Sequence, residues 1–189
     1  MSSVDLGRLL EESGAVLRGH FVLTSGRHSD VYFEKFRVLE QPEVLSALCA
    51  EIVNRFKGRF DVVAGPTTGG IIIAYEVARQ SGTRALYIET EDGVKRARRG
   101  ATIDAGARVL VVDDVLTTGL SVQETVIAVT ALGGEVVGVG VLIDRSDAPV
   151  QLPAEVFAAY RVQARSFAAD EVPDWLAGIP VAKPGTRAQ

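Results

Sequence analysis

The sequence predicts an α/β protein with a central parallel sheet flanked by helices, preceded by a small N-terminal strand pair. Three observations carry this. Short apolar runs alternate with helical patterns of roughly 10 to 15 residues, and such alternation needs crossover connections and therefore parallel neighbours. Val109 to Val112 run apolar without a break, as a buried strand does. At 189 residues, 47% hydrophobic and 23% charged, the chain has the size and composition of one domain with a full core.

The elements follow in order. In "VDLGRLLEESGAVLRG", 4–19, leucines and valines recur at helical spacing, with Ser3 and Asp5 available as caps. "HFVLTSGRHSDVYFEKF", 20–36, alternates and is broken at Ser25 and Gly26, which predicts two short strands around a turn. Pro42 suits the first position of a helix over 42–56. "FDVVAGP", 60–66, reads as a buried strand and 69–82 as a helix ended by Gly82. Further strands are expected at 84–90, 108–115 and 135–145, with a helix over 121–134 between the last two. Internal repeats are absent, and "KPGTRAQ" reads as a tail. The expected divisions are 1–40 for the N-terminal helix and strand pair, 41–165 for the α/β core, and 166–189 for a C-terminal extension packed on one of them.

Composition narrows the function classes. A net charge of -4 argues against a nucleic-acid surface. Cys49 is the only cysteine, which excludes an intramolecular disulfide and a cysteine-based metal cluster. The first residues, "MSSVDLGRLLEESG", carry acids where a signal peptide needs bases, and no apolar run approaches the roughly 18 residues of a membrane span. The expectation is a cytoplasmic protein with neither nucleic acid nor membrane as partner. His20 and His28 are not spaced like ligands of one metal.

Chemistry is concentrated after Val112. Asp113 and Asp114 end the buried run, and Thr117, Thr118, Gly119, Leu120 and Ser121 form a hydroxyl and glycine loop before a helix. Ligands of parallel sheets bind beyond the carboxyl ends of the strands. The unpartnered amides of a helix start, with flanking hydroxyls, make a nest for a phosphate. Two carboxylates beside it suit vicinal hydroxyls or a hydrated Mg2+. A ribose 5-phosphate fits both halves, and strand-end acids before an ordinary turn are the bland alternative. The loop is no Walker A motif and no dinucleotide loop, lacking Gly-Lys-Ser/Thr and G-x-G-x-x-G.

"VLVVDDVLTTGLS", 109–121, resembles the phosphoribosyl pyrophosphate (PRPP) motif of the type I phosphoribosyltransferases. "FVLTSGRHSDVYFEKFRV", 21–38, is similar to the N-terminal signature of the orotate phosphoribosyltransferases among them. "GPTTGGIIIA", 65–74, resembles their pyrophosphate loop, "LIDR", 142–145, the strand end whose arginine meets orotate, and "GIPVAKPGTR" the ending of a shorter prokaryotic subgroup. The resemblance implies that the N-terminal strand pair is a hood over the core, and that Asp113, Asp114 and Thr117 to Ser121 hold the ribose and its phosphate. It implies pyrophosphate at Thr67, Thr68, Gly69 and Gly70, with a cis bond between the threonines, and orotate at Tyr32, Phe33, Thr117 and Arg145. The implied reaction moves the phosphoribosyl group of PRPP to orotate, in pyrimidine biosynthesis. Mg2+ would be held mainly by PRPP, with Asp113 or Asp114 reaching it through water.

Members are typically homodimers in which a mobile loop of one subunit covers the other's site. Here that segment is "EDGVKRARRGATIDAG", 91–106. Lys95, Arg96, Arg98 and Arg99 are the expected catalytic cations, because charge growing on departing pyrophosphate needs a mobile cover. Without ligand, residues 92–104 are expected to be mobile or held as an exposed hairpin, and a merely soluble basic hairpin is the alternative. The chain departs from the family's frequent lysines at Thr24 and Gly69 and has no histidine in the loop. From the residues alone, the aromatics at 32 and 33 are core or pocket wall. A purine phosphoribosyltransferase, or a regulator sensing PRPP, shares the same motif.

Overall fold

The computed structural model describes residues 5–23, 25–97, 100–146, 148–162 and 164–182. Helix α1 (Leu6–Glu12) is capped by Asp5, whose carboxylate accepts the Arg8 amide at 3.1 Å. It ends well before Gly19, the last residue of the expected helix. Gly14, at φ +73°, turns the chain, and Val16 onward is strand.

That strand, β1 (Val16–Val22), pairs antiparallel with β2 (His28–Phe33). The second strand is also shorter than its pattern predicted. Glu34 accepts the Phe36 amide and starts a short helix, α2 (Lys35–Leu39).

The core follows as α3 (Pro42–Phe56), β3 (Val62–Pro66), α4 (Gly69–Ser81), β4 (Arg84–Glu91), β5 (Val94–Ala97), β6 (Arg108–Leu116), α5 (Leu120–Ala131), β7 (Glu135–Asp144) and β8 (Val156–Arg161). Its six strands lie in the order β5-β4-β3-β6-β7-β8, all parallel except β5. The central strands are buried on both faces. Val63, Leu110 and Val112 face a core shared with α1, α3 and α4, and Val62, Ala64, Val109 and Val111 face one shared with α5. A network around Glu76 ties α4 to α3: it accepts hydrogen bonds from Arg79, Gln80 and Ser46 at 2.7 to 2.8 Å. The Arg79 guanidinium above all, then Gln80 and Ser46, outweigh the cost of burial and hold this carboxyl at about 2.

The last described strands lie beside the N-terminal pair. Strands β9 (Ser166–Phe167) and β10 (Val181–Ala182) flank the N-terminal pair in the order β10-β1-β2-β9, with the four-residue helix α6 (Asp174–Ala177) between them and Leu176 fully buried. No helix among the described residues is long and apolar enough to cross a membrane.

Two features of the large sheet position the site. The chain leaves β3 for β4 on one side and returns to β6 on the other, so the strand order reverses between β3 and β6. Crevices at such switch points are where parallel sheets bind ligands. The loops after β3 and β6 are the two segments singled out for anion binding.

Candidate functional site

The loop after β3 is built from close backbone packing. A Cβ at Gly65 would run into the Gly70 carbonyl, and one at Gly70 would approach Pro66 at 2.5 Å. Only glycine at both positions lets α4 start directly over the end of β3. The Thr67–Thr68 peptide is cis, and the Thr67 amide donates to the Ile88 carbonyl at 2.9 Å. Gly69 opens α4 at the switch point; the Ile71 amide already donates to the Thr68 carbonyl at 3.3 Å, which leaves the Gly69 and Gly70 amides as the first-turn donors open to a ligand.

The loop after β6 is organised by its two acids. Asp113 is buried; Oδ1 accepts the Asp114 amide at 2.9 Å and Oδ2 the Ser121 hydroxyl at 2.8 Å. Burial, then the neighbouring Asp114, push its carboxyl above the ordinary aspartate range. Asp114 accepts the Val115 amide at Oδ1 (2.7 Å) and the Lys35 ammonium at Oδ2 (2.8 Å). Gly119, at φ +81°, lies against Val150 so closely that any side chain would collide, and α5 begins at the next residue. The sharp turn delivers the α5 amides to the same end of the sheet as Thr67 to Gly70.

Lys95 is not where a mobile cover would put it. Its ammonium donates to the Ser121 hydroxyl at 2.6 Å, the Ser121 carbonyl at 2.8 Å and the Thr125 hydroxyl at 3.2 Å, with Glu124 at 4.0 Å. The side chain is only 8% exposed, and burial depresses its pKa against the pull of Asp113 and Glu124. It braces the start of α5 and the loop after β6 of its own chain. The expected cluster of four cations is therefore divided: Lys95 points inward, Arg96 is exposed, and Arg98 and Arg99 lie outside the described residues, as does Thr24. The segment's first part is strand β5, antiparallel to β4. Ser121 is also more constrained than expected, since its hydroxyl already links Lys95 to Asp113.

The expected base-binding residues come together. Tyr32, Phe33, Thr117 and Arg145 line one cleft of about 1140 Å³ between hood and core. Phe33 doubles as core, while Tyr32 leans on Phe21 with ring centroids 5.7 Å apart. Asp113, Asp114 and the Thr67–Gly70 loop lie at the ends of β6 and β3 and are not among the residues lining this cleft, whereas Thr117 to Gly119, which follow β6, do line it.

Two further arginines line the cleft. Arg27 is oriented by Ser166, donating to its hydroxyl at 3.1 Å and its carbonyl at 2.8 Å. Arg161, at the end of β8, pairs with buried Asp144. Burial would raise the Asp144 carboxyl, but hydrogen bonds from Ser146 and Arg161 outweigh it and hold the group low. Arg161 escaped sequence reasoning because β8 did; its one signal was an arginine at the end of a short apolar and aromatic run, as Arg145 directly follows β7. Lys35 was missed because nothing in the sequence links it to Asp114.

Comparison with known proteins gives a consistent answer. Residues 37–174 match the family described as phosphoribosyl transferase domain. The chain is 46% identical over 180 residues to an orotate phosphoribosyltransferase of Caldanaerobacter subterraneus subsp. tengcongensis, covering 95% of each. With that of Pelotomaculum thermopropionicum it shares 47% over 188 residues, covering 99% of each. Among solved structures, the orotate phosphoribosyltransferase from Aeropyrum pernix superposes with a TM-score of 0.69 at 28% identity, over 84% of this chain and 94% of that one.

Proposed function

The chain belongs to the orotate phosphoribosyltransferases, and on that premise we propose how its own residues serve the transfer. It moves the 5-phosphoribosyl group of PRPP to orotate, releasing pyrophosphate and forming orotidine 5'-phosphate in pyrimidine biosynthesis. The observation that carries the residue assignment is the position of Thr117, which opens the phosphate loop and also lines the aromatic and arginine cleft. A base in that cleft and a ribose on the loop are neighbours.

The amides of Gly119 to Ser121 and the hydroxyls of Thr117 and Thr118 receive the 5'-phosphate. Asp113 and Asp114 accept the ribose hydroxyls, and the Thr68 to Gly70 amides at the start of α4 take the pyrophosphate. Orotate, a planar anion, lies against Tyr32 and Phe33 and is met by Arg145, with Arg27 and Arg161 adding positive charge to the walls. The bond from C1 to the orotate nitrogen forms as the bond from C1 to the pyrophosphate oxygen breaks; that oxygen keeps the electron pair, and the proton of the attacking nitrogen passes to solvent or to the departing pyrophosphate. The positive charge passing through the sugar is stabilised by fixed carboxylates, so the protein's work is positioning and electrostatics, with no general base required.

Mg2+ suits this site as part of the substrate. Among the described residues no three His, Cys, Asp or Glu side chains gather to hold a metal, and both acids already have protein partners. Such a donor set fits an ion held mainly by substrate oxygens, with Asp113 or Asp114 reaching it through water. Bound there, the ion would spread the charge of the pyrophosphate. We further place the reaction in the cytoplasm and in a homodimer, where the exposed Arg96, with Arg98 and Arg99, covers the partner's site.

The test is pyrophosphate release on mixing protein, Mg2+ and PRPP with orotate, adenine, hypoxanthine or xanthine in turn. Release with orotate alone is expected. Release with a purine and none with orotate overturns the base assignment.

A further inference from the structure

Lys35 opens α2, two residues beyond Phe33 of the base cleft. Its ammonium lies 2.8 Å from Oδ2 of Asp114 and 5.5 Å from the centroid of the Phe36 ring. A Cβ placed at Gly69 would run into the same carboxylate oxygen. One oxygen of Asp114 thus marks the point where the end of β6, the start of α4 and the start of α2 converge. We propose that Lys35 is a substrate-binding residue of the transfer, donating to the pyrophosphate of PRPP from its seat on Asp114.

Three features support this. An ammonium has three N–H donors, and among the described residues Asp114 is the one hydrogen-bond or ion-pair partner of Lys35. The side chain is 43% exposed while that of Asp114 is 13% exposed, so the remaining donors are accessible to a ligand. The place is also one where a cation is needed. PRPP carries its pyrophosphate between the α4 amides and two carboxylates, and a bare Asp114 would repel it. An ammonium resting on that carboxylate removes the repulsion and offers charge-assisted hydrogen bonds to the leaving oxygens.

Gly69 makes the arrangement exclusive. While Asp114 holds this position, no side chain fits at 69, so the loop after β3 cannot supply the cation itself. Position 35 supplies it from the hood side. Because Lys35 continues directly from the strand bearing Tyr32 and Phe33, a ligand that engages it also ties down the hood end next to the base. The inference rests on PRPP being the substrate.

Calorimetry without any base tests it, using Mg2+ with PRPP, Mg2+ with inorganic pyrophosphate, and ribose 5-phosphate on wild type, Lys35→Ala and Lys35→Arg. Lys35→Ala should weaken PRPP and pyrophosphate about tenfold to a hundredfold, the loss of one or two charge-assisted hydrogen bonds. Ribose 5-phosphate should change less than about twofold, and Lys35→Arg should recover part of the loss. Unchanged PRPP and pyrophosphate binding in Lys35→Ala overturns the proposal. So does an equal loss for ribose 5-phosphate, because Lys35 would then only hold Asp114 in place. Should Lys35→Ala fail to fold, Lys35→Gln is read by the same criteria. A wild type that binds PRPP and loses it on Lys35 substitution, yet releases no pyrophosphate with orotate, sinks the base assignment and leaves Lys35 standing.

Discussion

Replacing Lys95 by Met separates two roles that its charge and place in the chain leave open. Met keeps the length and the apolar stem but removes the donors to the Ser121 hydroxyl at 2.6 Å, the Ser121 carbonyl at 2.8 Å and the Thr125 hydroxyl at 3.2 Å. Two short charge-assisted bonds are worth about 1.5 to 3 kcal/mol each. Part of that is offset by burial of the ammonium, which shows as its lowered pKa. The Ser121 carbonyl also keeps a donor, since the Thr125 hydroxyl reaches it at 2.8 Å. The net loss should be about 2 kcal/mol, or about 4 to 8 °C in Tm for a chain of this size. Ser121 in turn holds Asp113, so the phosphate loop loosens and KM for PRPP should rise about tenfold or more, with kcat changing less. Removing the cation also lets the Asp113 carboxyl rise further, so PRPP binding should fail at higher pH than in wild type. Scanning calorimetry and steady-state kinetics measure both effects. A Tm within about 1 °C of wild type, with kcat down a hundredfold and KM for PRPP unchanged, would mean that Lys95 leaves Ser121 during turnover and works on the departing pyrophosphate.

The two acids should differ under the same treatment. Asp114→Asn should weaken PRPP by about 1.5 to 3 kcal/mol at nearly unchanged Tm, whereas Asp113→Asn should lower both, because only Asp113 fastens Ser121; calorimetry showing PRPP affinity intact in the double variant would remove both from the site. Glu76→Gln should destabilise the fold at neutral pH. The Glu76 carboxyl lies below its ordinary value, so its stabilisation is present above about 4.5 and lost as pH falls towards about 2; melting curves of the variant and wild type should converge across that window, and a constant gap would contradict the assignment. A subunit carrying Ala at 96, 98 and 99, mixed with one carrying Asn at 113 and 114, should regain part of the activity. If the mixture stays inactive while subunits demonstrably exchange, the basic segment acts within its own chain.

What the sequence made legible is what consecutive residues write. The buried run into Asp113 and Asp114, the hydroxyl and glycine loop behind it, and the double glycine after β3 each depend on neighbours a few positions away. Periodicity and turn chemistry therefore place them. The elements that escaped depend on partners remote in the chain. Strand β10 exists because Val181 pairs with His20, and β8 because it closes the sheet beside β7. Helix α1 stops early because Gly14 and the strand after it compete for residues whose apolar spacing suits a helix equally well. Lys95 shows the same limit at the scale of one side chain. Along β5, exposure alternates with Val94 and Arg96 outward and Lys95 and Ala97 inward, as a strand of period two requires. The alternation could be drawn from the sequence, but which face meets α5 is decided by the pairing of Thr90 with Lys95 and Ile88 with Ala97. That register puts the ammonium on Ser121. Neighbouring charges in a chain need not be neighbours in space, and here the register assigns one cation to bracing the loop after β6 and leaves Arg96 facing outward beside it.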